Sequence, residues 1–246
     1  MKGSNTEPGP VIGRFSADQI LFEDNHIIVI NKLPSQIVQG DKTGDRPLSE
    51  FVKDYIKQKY QKSGEVFLGV VHRLDRPVSG AVIFARTSKA LTRLNNMIKE
   101  RKISKTYWAV VKNKPPAESD TLTNYLQRDE TRNKSFVVAE NTKNAQQASL
   151  TYALMGKSDN YYLLEIDLHT GRHHQIRAQL AGMGCPIKGD LKYGYPRSNP
   201  DGSIHLHARE LGFIHPVTQL PVTIVADPPR EVVWNHFIKS LMKKGG

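Results

Sequence analysis

The feature that most constrains the fold is a succession of short apolar runs, each closed by a turn signal, which outnumber the stretches with helical periodicity. Ile20, Leu21 and Phe22 are separated from Ile27, Ile28, Val29 and Ile30 by Glu23-Asp24-Asn25, a pattern that predicts a hairpin. Further strands are expected over residues 66–71, 81–85, 107–111, 161–168, 205–214 and 222–226, with weaker signals over 121–126, 135–139 and 148–154. Four stretches read as helices. Leu48, Phe51, Val52, Tyr55 and Ile56 fall on one helical face behind Pro47; Ala90, Leu91, Leu94, Met97 and Ile98 form another, capped by Ser88. Residues 172–181 are expected to be helical up to Gly182 and Gly184, and a last helix should run over 229–242. Many hairpin-linked strands with few helices predict an α+β architecture with a largely antiparallel sheet. No apolar run approaches the roughly 20 residues that a membrane-spanning helix needs, and the first residues contain no apolar core of a secretion signal. A cytoplasmic address and no membrane partner are expected.

Charge narrows the class of partner. The chain of 246 residues has a formal net charge of +11, and residues 51–115 alone contain fifteen Lys and Arg against Asp54, Glu65, Asp75 and Glu100. Basic side chains that neutralise phosphates release counterions and bind without regard to sequence, so this stretch points to a nucleic acid. No segment combines a basic face with an apolar aromatic face and lacks acids, which argues against a membrane surface. The single cysteine, Cys185, excludes an internal disulfide and any zinc site built on several cysteines.

Within the basic stretch lies Val70-Val71-His72-Arg73-Leu74-Asp75-Arg76-Pro77-Val78-Ser79-Gly80, a strand that delivers two cations and a carboxylate into a turn before the next strand. Arg73 and Arg76 on either side keep Asp75 ionised. An Asp can also simply close a turn through backbone N–H groups. A kinase catalytic loop is excluded, since it needs Asn five residues after the Asp and Gly80 stands there.

These residues, with three further segments, resemble a known family. His72-Arg73-Leu74-Asp75 with Ser79-Gly80 is similar to the first motif of the RluA family of RNA pseudouridine synthases. Lys105-Thr106-Tyr107, running into Trp108-Ala109-Val110-Val111, resembles its tyrosine motif. The run Leu168-His169-Thr170-Gly171-Arg172-His173-His174-Gln175-Ile176-Arg177, continuing to Gly189-Asp190 and Tyr193, resembles the third, and Leu206-His207-Ala208 with Phe213-Ile214-His215-Pro216 the closing strand. The motifs occur in family order over residues 24–226.

The resemblance implies a mixed, largely antiparallel sheet flanked by helices around a central active-site cleft, with residues 1–18 an N-terminal extension and 19–246 the catalytic domain. It implies that Asp75 is the catalytic carboxylate, Tyr107 the aromatic against the target base, Arg177 the ion-pair partner of Asp75, and Arg73 a residue that helps extrude the uridine. Contacts to RNA are expected from Arg73, Arg76, Lys105, Arg172, His174, Gln175, Lys188 and Lys192. The expected reaction breaks the N1–C1′ bond of a uridine in tRNA or rRNA, turns the base and joins C5 to C1′. It adds no group and changes no oxidation state, so no cofactor is expected, and the enzyme should act as a monomer. The carboxylate either adds to C1′, as in retaining glycosidases, or removes a ribose proton on the way to a glycal; the sequence leaves both open.

Two departures from the family pattern stand out: Pro77-Val78 precedes Ser79-Gly80 where Thr is usual, and Asn31-Lys32-Leu33-Pro34 carries one residue more than the early Asn-Lys-Pro motif. About 20 residues precede the first strand, too few for the S4-type module that many relatives carry. His169, His173, His174, His205, His207 and His215 suggest metal ligands, but no His-Glu-x-x-His or carboxylate cluster accompanies them, and no metal is expected. His174 and His207 are expected to serve as hydrogen-bonding residues near the site. The competing reading of the whole chain is a non-catalytic RNA-binding protein on the same scaffold.

Overall fold

Eleven strands assemble into one sheet in the computed structural model, which describes residues 15–244. In chain order the elements are β1 (Ile20–Glu23), β2 (Ile27–Lys32), α1 (Leu48–Lys59), β3 (Gly69–Val70), β4 (Ser79–Ala85), α2 (Ser88–Lys99), β5 (Ser104–Val111) and β6 (Ser119–Asp129). β7 (Lys134–Val138), β8 (Gln146–Lys157), β9 (Tyr162–Leu168), α3 (Gln175–Gly182), β10 (Leu206–Ile214), β11 (Pro221–Val225) and α4 (Val232–Lys244) follow. The strand order is β1-β2-β4-β10-β5-β9-β8-β6-β7, with β3 added to β4 and β11 to β10. Every pairing is antiparallel except β4 with β10. The α+β class and the largely antiparallel sheet expected from the sequence are what the structure shows.

Successive side chains along a strand enter cores on opposite faces of the sheet. Tyr107, Ala109 and Val111 of β5 point into the larger core with Leu48, Val52 and Ile56 of α1 and Ile176 and Leu180 of α3. On the opposite side, Trp108 and Val110 pack against Trp234 and Phe237 of α4, and Ile27, Val29 and Ile83 pack with Ala90 and Leu94 of α2. β4 is buried along its whole length, as expected of a central strand covered on both faces.

The parallel contact between β4 and β10 is only two residues long, Ser79 opposite His207 and Gly80 opposite Ala208. Gly80 has φ +118°, and a Cβ there would lie 2.3 Å from the Ala208 carbonyl oxygen. Only glycine permits this approach. Beyond it the two strands part: β2 occupies one edge of β4 throughout, while the other edge passes from β10 to β3; β10 in turn exchanges β4 for β11 and keeps β5 on its far side. The sheet therefore forks between β4 and β10.

Several local expectations are corrected. The strand expected over 66–71 reduces to Gly69–Val70, because Val66 and Leu68 serve the core without joining the ladder. The cap of α2 is Thr87, whose hydroxyl accepts from the Ala90 N–H at 3.2 Å, and Ser88 is the first helical residue. α3 begins at Gln175 rather than at 172, because His174 stands in the left-handed region at φ 52°, ψ 25° and breaks the helical path. Of the expected N-terminal extension, residues 1–14 lie outside the described residues; Phe15 packs edge-on against Tyr55, with ring centroids 5.7 Å apart.

Candidate active site

The segment from β3 to β4 runs through the fork of the sheet and carries Asp75. Its backbone is tied down on several sides. The Arg76 carbonyl accepts from Ser35 N (2.9 Å) and Lys32 Nζ (3.2 Å), the Pro77 carbonyl from Ile204 N (3.1 Å) and the Asp75 carbonyl from Val78 N (3.0 Å). Lys32 is completely buried and donates also to the carbonyls of Leu33 (3.0 Å) and Gln36 (2.9 Å). Burial lowers its pKa to about 7, with the charge of Asp75 acting the other way. Three carbonyl acceptors match the three N–H groups of the ammonium form.

Arg177 projects from the buried face of α3. Its Nη1 donates to Asp75 Oδ2 at 3.0 Å, while Nε and Nη2 grip both oxygens of Asp190 at 2.7 and 2.8 Å. The ion pair expected between Asp75 and Arg177 is present, but the two-pronged grip goes to Asp190, and Asp75 receives a single bond. Burial opposes the charge on Arg177, the two carboxylates outweigh it, and the pKa is raised. The left-handed backbone of His174 turns its ring to the same place, with Nε2 3.3 Å from Asp75 Oδ2. Burial holds that ring's pKa down at about 3 against the pull of Asp75, so it is neutral. Tyr193 Oη accepts from Ser135 N at 2.8 Å and lies 3.0 Å from His174 Nδ1, an arrangement that leaves the tyrosine proton for Nδ1 and the ring proton on Nε2, facing Asp75. Arg177 and His174 thus both meet Oδ2. Among the described residues, Oδ1 of Asp75 has no protein partner.

Tyr107 opens one edge into the same cleft and is 7% exposed. Burial and then the charge of Asp75 push its pKa above the usual phenol value, so it remains protonated. The cleft has a volume of about 1100 Å³ and is lined by eight Lys and Arg, including Arg73, Lys105, Arg128 and Arg172, against Asp75 and Asp167. Small-ligand pockets occupy roughly 300–1000 Å³ and are mainly apolar, so this site suits a large anion.

Not every residue expected to touch RNA reaches the cleft. Arg73, Lys105, Arg172 and His174 line it. Gln175 lines it too, but its amide is consumed: Oε1 accepts from Thr170 Oγ1 and Arg172 N, and Nε2 donates to Ser149 O. Arg76 turns to Asp45, 2.6 Å away, and to the Thr43 hydroxyl at 2.8 Å, in the 41–45 loop. Lys188 donates to Asn199 Oδ1 at 2.7 Å, and Lys192 to the Asn133 carbonyl at 3.1 Å. None of Arg76, Lys188 and Lys192 is part of the cleft lining.

The histidines separate in space. His205 and His207, both on one face of β10 and its approach, pack against Trp234 at 5.2 and 6.1 Å. His205 bridges Asn199 and Glu231, and His207 lies between Ser79 Oγ (2.8 Å) and the Ala226 carbonyl (3.0 Å). Among the described residues, no three His, Cys, Asp or Glu side chains are grouped as metal ligands. The sequence reading missed the role of Asp190, Tyr193 and Lys32. Each stands inside a motif already quoted, and its part depends on contacts across 13 to 58 residues of chain.

A carboxylate held from behind by arginine and histidine, beside a tyrosine face in a wide basic cleft, defines an enzyme for a polyanionic substrate that carries flat bases. The family is shown by comparison: the sequence model described as RNA pseudouridylate synthase matches residues 26–182. The chain belongs to this family and is an RNA pseudouridine synthase, an isomerase. It is 32% identical over 228 residues to the RNA pseudouridine synthase YhcT of Bacillus subtilis, covering 91% of this chain and 72% of that one. It is also 30% identical over 238 residues to tRNA pseudouridine synthase C of Vibrio cholerae (89% and 94%), and 33% over 226 residues to ribosomal large subunit pseudouridine synthase D of Xylella fastidiosa (87% and 66%). The fold is shared with human RNA pseudouridylate synthase domain containing 4, with a TM-score of 0.74 at 24% identity over 92% of this chain and 93% of that one.

Proposed function

We propose that this chain converts uridine to pseudouridine in a structured RNA, tRNA or rRNA, with Asp75 as its catalytic carboxylate. The observation that carries this reading is the asymmetry of the carboxylate: Oδ2 is taken by Arg177 and His174, while Oδ1 is left for substrate. Such an oxygen is aimed and unencumbered, as a group acting at the ribose must be, whether it adds to C1′ as N1 departs or removes a ribose proton. A uridine extruded from its stack would lie with its base against Tyr107. The phenol of the RNA-free protein keeps its proton, and Tyr107 supports the base with its ring face. Arg177 is a positioning residue, and Arg73 stands at the cleft wall where a displaced strand would pass.

The test incubates the chain with unmodified tRNA and rRNA transcripts and maps pseudouridine by carbodiimide-dependent reverse-transcription stops. Stops that appear with the wild-type chain, and vanish with Asp75→Asn while RNA affinity is retained, are the expected result. Turnover by Asp75→Asn would remove the carboxylate from the mechanism, and absence of stops on every RNA would leave the non-catalytic reading.

A further inference from the structure

One pair of polar groups on the cleft wall is left unused by the account above. His72, three residues before Asp75, turns its ring so that Nε2 accepts the Ile83 backbone N–H at 3.2 Å. A backbone amide is always a donor, so Nε2 has no proton and the ring's hydrogen sits on Nδ1. Among the described residues Nδ1 has no partner, and His72 lines the cleft. Burial, followed by the nearby charge of Lys105, holds the ring's pKa down at about 3, so the tautomer persists across the working range.

Lys105 is the neighbour. It lies two residues before Tyr107 on β5, on the same face of the strand, and also lines the cleft. Among the described residues it has no carboxylate, carbonyl or aromatic partner, and burial depresses its pKa. An ammonium that loses water without gaining an anion costs free energy in the empty protein, a cost that a bound anion removes. RNA offers one anion per nucleotide, its phosphate, whereas the carbonyls of uracil are neutral.

We propose that His72 Nδ1–H and Lys105 Nζ together seat one phosphate of the RNA next to the target uridine. The proposal rests on the cleft being the RNA site. A neutral, fixed donor beside a cation grips one oxygen by direction and the group by charge, which places the ribose of the reacting nucleotide over Asp75.

The two functions of His72 can be separated. Gln at 72 keeps an acceptor for the Ile83 N–H but loses the Nδ1 donor; Asn keeps a donor near the Nδ1 position but loses the acceptor. With a transcript that the wild-type chain converts, His72→Gln is expected to unfold at the wild-type denaturant midpoint and to bind RNA about tenfold more weakly with an unchanged salt slope. His72→Asn should lose stability and keep affinity. Lys105→Met should weaken binding and reduce the slope of log affinity against log salt by about 0.7–0.9, one phosphate's worth. A single methylphosphonate, moved through the linkages flanking the uridine, should at one linkage weaken wild-type binding but leave Lys105→Met unaffected. Wild-type affinity in His72→Gln, an unchanged slope in Lys105→Met, or additive penalties at every linkage would each overturn the seat, the last in favour of a base carbonyl. A wild-type chain that converts no RNA would instead overturn the reading of the cleft.

Discussion

The floor and the rim of the cleft solve opposite problems. On the floor, Arg177, Asp190, His174 and Tyr193 satisfy one another so completely that Asp75 is presented with one oxygen held and one free. On the rim, Arg73, Lys99 and Arg101 are exposed and have no carboxylate partner among the described residues, and Lys102 meets only the exposed Glu100. The floor is organised before substrate arrives, because a catalytic geometry cannot wait for its ligand. The rim is paired only sparsely, by the exposed Lys102–Glu100 and Arg128–Glu130 contacts, because each internal salt bridge formed there would compete with a phosphate. Charge in this protein therefore has two uses, distinguished by burial and not by residue type.

The largest effect expected from this contrast is at Asp190. Asp190→Asn leaves the buried Arg177 without its two-pronged partner, and removing one member of a buried ion pair costs about 3–5 kcal/mol. Denaturant unfolding should show that loss, and turnover should fall as Asp75 loses its fixed support. Arg73→Gln on the rim should change stability by no more than about 0.5 kcal/mol while weakening RNA binding. Equal destabilisation by both variants would abolish the distinction between floor and rim.

Acid should damage the buried half selectively. His72 and His174 have pKa values of about 3 and His207 of about 4, all below the roughly 6.5 of an unfolded histidine. Between pH 6.5 and 4 the unfolded chain binds more protons than the folded one, so stability falls as pH is lowered, by up to about 1.4 kcal/mol per pH unit for each ring. A denaturant midpoint that does not move between pH 7 and pH 5 would contradict the neutral, buried state of these histidines.

The smallest effect is at Arg101. It follows α2 with φ 57°, and the 102-to-97 and 101-to-98 backbone bonds close the helix in the manner that glycine ordinarily serves. Arg101→Gly should raise stability by up to about 1 kcal/mol and lower both RNA affinity and its salt slope. A gain in stability with RNA binding intact would show that the side chain is not there for phosphate.

Much of this was legible in the chain. Short apolar runs closed by turn signals located the strands, helical periodicity located α1 and α2, and the motifs around Asp75 and Tyr107, through the family they resemble, pointed to the chemistry, because each of these signals lies within a few consecutive residues. The family resemblance also implied that Arg177 meets Asp75. What it did not reveal was that Asp190 takes the larger share of that guanidinium, that Arg76 and Lys188 are engaged elsewhere, or that His174 supports Asp75 as a neutral ring. Sequence by itself determined which segments become strands and helices and which stretch is basic, since local periodicity and composition govern both. The tertiary structure alone decided which charges are spent and which are free, because hydrogen-bond partners and burial are settled by residues far apart in the chain that the fork between β4 and β10 brings together.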